Sequence, residues 1–264
     1  MQPIMVVVHG ALGKMGQEII SALCQESEVR IVGAVDLEAT EDYLTLPDGS
    51  GTIPFSSDLD HILTSCQPDV LVDFTIAKAT MPAVRAATKQ GVNLIIGTSG
   101  LAADEISEIE RLATAYKVGI VVAPNFALGA VLMVHLAKVA AKYLDCAEII
   151  ELHHHLKADA PSGTALSTAK EMAQAKGKPF SRPSEKKEIP KSRGEEVEGI
   201  SIHAVRLPGL MAHQEVIMGA PGQTLSIRHD TINRECYIPG VVLAIKEVIK
   251  RQGLIYGLDT LLDL

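Results

Sequence analysis

The sequence lacks three features that define large classes of protein: an excess of basic residues, a long uninterrupted apolar run, and closely spaced cysteines. Its formal net charge is −8. Nucleic acids and anionic membrane surfaces normally bind a basic face, so we expect neither as a partner. The most apolar region, residues 118–134, is interrupted by Pro124, Asn125 and Gly129. It predicts a strand, a loop and a helix, not a membrane span.

The four cysteines, Cys24, Cys66, Cys146 and Cys236, lie far apart and form no C-x-x-C pair. In a chain of this size such spacing indicates reduced thiols, which are typical of the cytoplasm. The first ten residues, MQPIMVVVHG, lack the charged segment and the small-residue cleavage site of a signal peptide. We therefore expect a cytoplasmic protein.

With 264 residues the chain is long enough for two modest domains, and its first half begins with the pattern of a βαβ unit. The apolar run IMVVVHG, residues 4–10, ends in glycine and is followed by a helical pattern from about Lys14 to Gln25. A second apolar run, VRIVGAV, leads to Asp36. A strand that feeds a glycine turn and then a helix is typical of a parallel sheet buried on both faces.

The turn GALGKMG places Gly10, Gly13 and Gly16 in a G-x-x-G-x-x-G spacing, which is a weak signal by itself. Its position between a strand and a helix predicts dinucleotide binding. Glycines let backbone amides approach a pyrophosphate, and Asp36 can accept hydrogen bonds from an adenosine ribose.

The residues after the second strand bear on the choice of cofactor. Asp36 would repel a 2′-phosphate, and Leu37 offers no cation to hold one. Lys14, in the glycine turn, can offset this repulsion in part. We expect NADH to be preferred and NADPH to be tolerated.

Strand-like and helix-like runs alternate up to residue 126, which predicts an α/β fold with a Rossmann-like, doubly wound parallel sheet. Ligands of such sheets gather at the carboxyl ends of the strands, so the turns GTSG (97–100) and APNF (123–126) should border the nicotinamide. Residues 41–56 are rich in proline and glycine and indicate a surface loop. The remaining strand-like runs are 69–74, 92–96 and 118–122, and the helix-like runs are 79–91 and 101–117.

After Asn125 the pattern changes to that of a second, α+β domain with an open mixed sheet. Residues 177–199 are charged, proline-rich and aperiodic, which indicates an exposed or mobile loop. Three later runs joined by short turns predict an antiparallel meander, and the last segment, 237–253, predicts a helix that packs on the first domain. One face of the open sheet has few helices to cover it, which suggests that subunits meet there. The meander runs are 199–207, 212–219 and 223–230; they follow a helix (128–143), a strand (147–153) and a helix (163–176).

The stretch ELHHHLKADAPSGTALS, residues 151–167, concentrates proton-carrying groups between a strand and a helix. Ser162 and Gly163 mark the helix start, whose unpartnered N–H groups and macrodipole favour a carboxylate or phosphate. Lys157 can add a positive charge beside the same anion. His153, with an unperturbed pKa of about 6.5, can exchange a proton near neutral pH. The stretch therefore predicts an anion-binding pocket with a built-in acid.

The three histidines also have other interpretations. Consecutive histidines on a strand point to alternate faces, so His153 and His155 share one face and His154 takes the other, and any one of them can be structural. A His-x-His pair can also ligate zinc. However, no cysteine or carboxylate–histidine cluster completes a shell, and Lys157 would repel the cation, so we expect no metal.

Taken together, the motifs are similar to those of one family. ELHHHLKADAPSGTA resembles the E-x-H-H-x-x-K-x-D-A-P-S-G-T-A motif of 4-hydroxy-tetrahydrodipicolinate reductase, or dihydrodipicolinate reductase, of bacterial lysine biosynthesis. GALGKMG, VDFT (72–75), GTSG, APNF, GISIHAVRLPGLMAHQEV and NRECYIPG also agree, in order, along nearly the whole chain. Tyr237 stands where phenylalanine is frequent. Leu37 stands where some members have arginine, which bears on cofactor preference and not on the reaction.

The resemblance implies a role for each matching position. His153 corresponds to the catalytic proton donor or acceptor, and Lys157 to its partner proton donor. The substrate-binding positions are His154, Lys157, Ser162, Gly163 and Thr164. The nucleotide-binding positions are Gly10, Ala11, Leu12, Gly13, Lys14, Met15, Asp36, Gly97, Thr98, Ser99, Ala123, Pro124, Asn125 and Phe126.

The implied reaction is the NAD(P)H-dependent reduction of 4-hydroxy-tetrahydrodipicolinate, a dicarboxylate, to tetrahydrodipicolinate with loss of water. We expect a dinucleotide-binding domain of residues 1–126 with about 237–264, and a substrate-binding and oligomerisation domain of residues 127–236. Closure of the two about the segments near 126 and 236 should be needed. The resemblance implies a homotetramer. The alternatives are another two-domain dehydrogenase, for example one acting on an amino acid semialdehyde, and a nucleotide-sensing protein without catalysis.

Overall fold

The computed structural model describes residues 2–181, 191–262 and 264. Two units are formed within these residues: one holds the chain up to Leu128 and from Arg234 on, and the other holds Gly129–Asn233. In chain order the helices and strands are β1 (Ile4–His9), α1 (Lys14–Leu23), β2 (Val29–Val35), β3 (Tyr43–Thr45), β4 (Thr52–Ser56), α2 (Leu59–Cys66), β5 (Val70–Asp73), α3 (Ala77–Lys89), β6 (Asn93–Ile96), α4 (Ala103–Tyr116), β7 (Gly119–Val122), α5 (Leu128–Ala141), β8 (Cys146–His153), α6 (Gly163–Lys176), β9 (Glu195–Val197), β10 (Ile200–Arg206), β11 (Ala212–Ala220), β12 (Gln223–Thr231), α7 (Ile238–Val248) and β13 (Gly253–Tyr256).

The first unit is built on a sheet whose strands run in the order β13-β7-β6-β5-β1-β2-β4-β3 in the described part of the chain. All neighbouring pairs are parallel except β3 and β4. The strands are short apolar runs, and β5 and β7 are buried along their whole lengths. Strands of this composition must be covered on both faces, which is the condition for a doubly wound sheet.

Alternate residues of β7 show that helices cover both faces of this sheet. Ile120 lies in a core cluster with side chains of α2, α3 and α4. A Cβ on the preceding residue, Gly119, would instead meet Val248 of α7. Because successive strand residues point to opposite faces, α7 lies on the face opposite to α2–α4. The predicted Rossmann-like sheet is confirmed.

The prediction of a surface loop over residues 41–56 is wrong. β3 and β4 form a hairpin within this range, and β4 adds to the parallel edge of β2. Ile53 and Phe55 are buried, with exposed fractions of 5% and 6%. Proline and glycine obscured the alternation of these two side chains in the sequence. Pro54 is accommodated between them because β4 lies near the edge of the sheet.

Two further elements of the first unit are absent from the predictions. Residues 59–66 form α2, whose N-cap Asp58 accepts a hydrogen bond from the backbone N–H of His61. After α7, the chain adds β13 as an edge strand parallel to β7, where the sequence predicted only a helix over 237–253. Only one of the four residues of β13, Ile255, is buried, so this strand lacks the continuous buried run that marks β5 and β7.

The second unit has a sheet in the order β12-β11-β8-β10-β9 within the described residues. Alternate residues of β8, Ala147 and Ile149, point into a core formed with α5 and α6, where Met172 is fully buried. The intervening residues, among them Ile150 and Leu152, are only half-buried. The predicted mixed sheet with one less covered face is confirmed.

The predicted meander is wrong in its pairing. β11 and β12 form an antiparallel hairpin, but β10 is not the neighbour of β11. β8 lies between them, parallel to β10 and antiparallel to β11. Pairing with an earlier strand is decided by long-range contacts that the short 207–211 connection does not reveal.

The predicted loop of residues 177–199 lies in part, at 182–190, outside the described residues. The described remainder is not all loop: Glu195–Val197 forms β9 and pairs with β10, and Phe180 is buried with an exposed fraction of 4%. The high charge of the segment concealed both features.

Candidate active site

The first group of candidate residues lies at the carboxyl edge of the parallel sheet in the first unit. Gly10–Met15 follow β1, Asp36 follows β2, Gly97–Ser99 follow β6, and Ala123–Phe126 follow β7. All the predicted nucleotide-binding positions are therefore brought to the same edge. In parallel α/β sheets this edge is where ligands bind. Their roles as contacts stay predictions.

The glycine turn has the geometry that a dinucleotide requires. Gly10 has φ +83°, a conformation that side chains rarely adopt. A Cβ on Gly16 would lie 2.0 Å from the carbonyl oxygen of Gly10, so α1 packs directly on the turn. Gly13 is exposed. The close packing at Gly16 and the bare surface at Gly13 fit a pyrophosphate approaching the N-terminus of α1.

Asp36 joins the end of β2 to this turn. Its carboxylate accepts hydrogen bonds from the N–H of Leu12, at 2.9 Å, and of Glu38, at 3.1 Å. Each carboxylate oxygen has a second lone pair available, and the side chain is only part-buried. Asp36 can therefore accept a further hydrogen bond from a ribose hydroxyl while its bond to Leu12 fixes the glycine turn.

Gly97 and its neighbours are fixed by a buried aspartate that the sequence analysis did not single out. Asp73 is fully buried at the end of β5 and accepts hydrogen bonds from the hydroxyls of Thr75, at 2.7 Å, Thr80, at 2.6 Å, and Thr98, at 3.4 Å. Its backbone oxygen accepts the N–H of Gly97. The nitrogen Nδ1 of His9 lies 3.1 Å from the carboxylate but outside hydrogen-bonding geometry.

Two aromatic rings lie next to these turns. The ring of Phe74 is so close that a Cβ on Gly97 would approach it to 2.2 Å. Phe126, which is buried, lies against Phe74 with ring centroids 5.3 Å apart. Asn125 accepts a hydrogen bond from the N–H of Ala127, which orders the APNF turn.

The second group lies in the other unit, at the end of β8 and the start of α6. β8 ends at His153, and His154–Lys157 form a turn closed by the N–H of Lys157 and the oxygen of His154. The expected alternation of His153, His154 and His155 on one strand is therefore wrong. The strand ends at this point because the chain must turn toward α6.

His153 is paired with a buried carboxylate. Its Nδ1 lies 2.5 Å from Oε2 of Glu151, whose side chain is fully buried. Burial lowers the pKa of His153 by disfavouring the imidazolium, and Glu151 opposes this effect. Burial alone would raise the pKa of Glu151, but hydrogen bonds from Arg206 and His153 bring it below its ordinary value. Glu151 is therefore ionised, and His153 is neutral near pH 7 with Nδ1–H as donor.

Arg206 of β10 completes this cluster. Its two terminal nitrogens donate to the two oxygens of Glu151 at 2.8 and 2.7 Å. Oε1 of Glu151 also accepts the backbone N–H of Ser162 at 3.1 Å. Neither Glu151 nor Arg206 was predicted from the sequence to have a role in the site. A signal for Glu151 was present, because it alternates with Ile149 on the inward face of β8, where a charge requires a partner.

The start of α6 offers backbone donors. The hydroxyl of the N-cap Ser162 accepts the N–H of Ala165 at 3.2 Å, while the residues between them, Gly163 and Thr164, are exposed. Their N–H groups are left for a ligand, and a Cβ on Gly163 would meet nothing within 4 Å. Lys157 is part-buried and forms an ion pair of 2.8 Å with Asp159.

Among the described residues, no group of three or more His, Cys, Asp or Glu side chains could hold a metal ion. No helix in that part of the chain has the length and apolar character needed to cross a bilayer.

A doubly wound sheet with a glycine turn at its carboxyl edge is the arrangement of the Rossmann-type dinucleotide-binding class of proteins. Comparison with known proteins supplies the family. The family models described as dihydrodipicolinate reductase, N-terminus, and dihydrodipicolinate reductase, C-terminus, match residues 4–126 and 129–262. The chain belongs to the dihydrodipicolinate reductase family.

Individual relatives agree. The chain is 59% identical over 264 residues to 4-hydroxy-tetrahydrodipicolinate reductase of Dehalococcoides mccartyi, covering 100% of both chains. It is 46% identical to the enzyme of that name from Moorella thermoacetica, covering 98% of each. A solved structure of dipicolinate-bound dihydrodipicolinate reductase from Paenisporosarcina sp. TG-14 is 36% identical, with a TM-score of 0.87 and coverage of 98% of this chain and 99% of that chain.

The family carries out the reductase step of lysine biosynthesis through diaminopimelate, and it uses a pyridine nucleotide. The match therefore favours this reductase over the two alternatives, a semialdehyde dehydrogenase and a nucleotide-sensing protein.

Proposed function

We propose that this chain reduces 4-hydroxy-tetrahydrodipicolinate with NAD(P)H, and that His153 and Lys157 supply the proton chemistry. The observation that carries the proposal is the pairing of His153 with the ionised, buried Glu151, beside a helix start with free N–H donors. A part-buried histidine with a shifted pKa next to an anion-binding helix start is typical of an active site.

The start of α6 suits one carboxylate of the substrate. The N–H groups of Gly163 and Thr164 can donate to its oxygens, and the helix macrodipole favours the negative charge. Lys157 lies six residues before Gly163 and carries the balancing charge. Its partner, Asp159, is exposed, so the lysine can exchange that carboxylate for the substrate's. His154, exposed in the turn after β8, and Ser162, the N-cap of α6, complete the proposed substrate-binding set.

The reaction needs one proton and one hydride for each substrate. Loss of the 4-hydroxyl as water leaves a conjugated double bond, and a bound nicotinamide supplies a hydride to one end of it. The other end then takes a proton from Nε2 of His153 or from Nζ of Lys157. Because His153 is neutral near pH 7, it must first gain a proton at Nε2 to act as the donor. The positive charge of Lys157 stabilises the negative charge that develops on the substrate.

We propose NADH as the preferred cofactor, with NADPH tolerated. The carboxylate of Asp36 stands at the end of β2, and the following residue, Leu37, is 82% exposed and uncharged. A 2′-phosphate would meet this negative charge, which Lys14 in the glycine turn can offset only in part. The residues proposed to contact the nucleotide are Gly10, Ala11, Leu12, Gly13, Lys14, Met15, Asp36, Gly97, Thr98, Ser99, Ala123, Pro124, Asn125 and Phe126.

We further propose a homotetramer in the cytoplasm. The apolar side chains Ile150, Leu152 and Ile217 lie half-buried on the face of the second sheet opposite to the core with α5 and α6. Burial of this face between subunits would remove their remaining apolar surface from water. All four cysteines are free, which suits a reducing compartment.

The function is tested by following the oxidation of NADH with freshly generated 4-hydroxy-tetrahydrodipicolinate, repeated with NADPH. 2,6-Pyridinedicarboxylate should compete with the substrate. His153→Ala and Lys157→Ala should each lower turnover by more than about 100-fold, the usual range for a lost general acid, with NADH affinity nearly intact. Near-normal turnover in both variants would reject the assigned roles. Sedimentation analysis of the same preparation tests the tetramer.

A further inference from the structure

The carboxylate of Glu151 is the centre of a hydrogen-bond network in the second unit. It is fully buried, and each of its oxygens accepts two hydrogen bonds. Oε2 accepts from His153 and Arg206, and Oε1 accepts from Arg206 and the N–H of Ser162. One side chain thus joins β8, β10 and the first residues of α6.

The first consequence concerns the proton on His153. A carboxylate can only accept, so Nδ1 of His153 must carry the hydrogen in this contact. That leaves Nε2 as the ring nitrogen with a free lone pair, and it prevents the ring from rotating. An uncharged amide at the same place can donate to Nδ1, which would move the hydrogen to Nε2.

The second consequence concerns the anion-binding residues. Arg206 donates to the backbone oxygen of Asp159 at 2.6 Å as well as to Glu151. Together with the bond from Ser162 to Glu151, this ties both ends of the 159–162 segment to the end of β8. The N–H donors of Gly163 and Thr164 are therefore held at a fixed place relative to His153.

We propose that Glu151, held by Arg206, is the positioning residue of this site: it fixes the Nδ1–H tautomer of His153 and the place of the α6 N-terminus beside it. The proposal rests on the proposed role of His153. Stability alone explains the cluster poorly, because the fully buried Glu151 and the part-buried Arg206 are costly to desolvate, and such a pair is often no more stabilising than apolar side chains of similar volume.

The test uses the full-length protein and variants that separate positioning from stability. Glu151→Gln keeps the volume and removes the charge, but it leaves the part-buried Arg206 without its paired carboxylate. The double variant Glu151→Gln with Arg206→Met removes both charges and should regain thermal stability. Glu108→Gln is the matched control, because Glu108 accepts a similar two-point hydrogen bond from Arg85, at 2.7 and 2.8 Å, on the surface of the other unit.

We expect Glu151→Gln and the double variant to lower kcat by about 100-fold or more, with the Kd for NADH within about twofold of the wild type. The groups acting on the charge of His153 are Glu151 on its own strand, Arg206 on β10 and Lys157 in the following turn. Glu151 is the negative group among these three, so its loss should lower the pKa of His153. The limb of the kcat–pH profile that reports His153 should then move to lower pH. The control should keep the wild-type kcat and pH profile.

A nitrogen NMR spectrum of histidine-labelled protein provides a readout that does not depend on activity. The His153 signal, assigned by its loss in His153→Ala, should show a protonated Nδ1 in the wild type and a different tautomer in Glu151→Gln. The proposal would be overturned if the double variant recovered both the thermal stability and the kcat of the wild type. It would also be overturned if the tautomer of His153 were the same in Glu151→Gln as in the wild type. If instead His153→Ala is fully active, the proposed role of His153 fails while the reductase activity stands, and the tautomer still decides what Glu151 does.

Discussion

Two glycines of the nucleotide turn allow the packing of α1 and the binding of a dinucleotide to be tested separately, because their surroundings differ. Gly16 faces backbone: an added Cβ would lie 2.0 Å from the oxygen of Gly10 and 2.8 Å from its carbonyl carbon. Ordinary contact begins at 3.4 Å, so Gly16→Ala must move α1 and the turn apart by about 1.4 Å. Gly13 is exposed, and its Cβ would meet a single atom, the same oxygen, at 3.1 Å, so the neighbour must shift by only a few tenths of an ångström.

For Gly16→Ala, overpacking of this kind costs about 1–3 kcal/mol. The better helix propensity of alanine returns about 0.5–1 kcal/mol, since Gly16 lies inside α1. A net loss of about 1–2 kcal/mol should lower the thermal midpoint by several degrees. NADH affinity should fall about tenfold or more, because the amides of the turn are displaced.

Gly13→Ala should behave differently. Its φ of −66° is ordinary for alanine, so the loss of stability should stay below about 1 kcal/mol. The added methyl group would stand where the pyrophosphate approaches, and NADH affinity should again fall about tenfold. Gly219→Ala, where an added Cβ meets nothing within 4 Å, should change neither quantity.

Thermal denaturation and NADH titration of the three variants decide the matter. Wild-type stability in Gly16→Ala would show that α1 does not pack on the turn as described. Wild-type NADH affinity in Gly13→Ala would refute the binding of a dinucleotide at this turn, whatever the stability.

Three further outcomes are expected. Leu37→Arg should raise kcat/KM for NADPH relative to NADH about tenfold or more by adding a charged donor beside the 2′-phosphate; an unchanged ratio would contradict the proposed role of the β2 end. Ser162→Ala should cost about 1 kcal/mol of stability and weaken 2,6-pyridinedicarboxylate binding, measured by titration; unaltered values of both would contradict the cap. Because burial lowers the pKa of His153 in the folded protein, the wild type should lose stability as the pH falls from about 6.5 through that lower pKa, and His153→Gln should lose less, since His229, whose pKa burial also lowers, still contributes. The free energy of unfolding is measured by denaturant unfolding at several pH values. An equal dependence on pH in the wild type and in His153→Gln would exclude that linkage.

The strands of the first unit could be predicted because buried parallel strands are apolar throughout. The runs at 4–10, 69–74 and 118–122 carry this signal, and each forms a strand in the structure. β3, β4 and β13 could not be predicted in this way, because strands at or next to the edge of a sheet are short and mixed in composition. Their place in the sheet depends on a neighbour far away in the chain.

The pairing of β10 with β8 was beyond prediction for a related reason. Local turns favour a hairpin with the next strand, and the sequence contains nothing that ranks this against a parallel partner some fifty residues earlier. The order of the second sheet is decided by the burial of Ile149, Ile202 and Val216 in one core.

The sequence by itself determined the chemical parts: a glycine turn after an apolar strand, a histidine at a strand end, and a helix start with free donors. These are local features, since each depends on residues within a few positions. Only the tertiary structure decided the partner of the buried charge. Arg206 lies 55 residues from Glu151 in the chain, and no local pattern indicates that the two meet. Their contact arises because β8 and β10 pair in parallel, and it exists because an unpaired carboxylate could not remain ionised inside the protein.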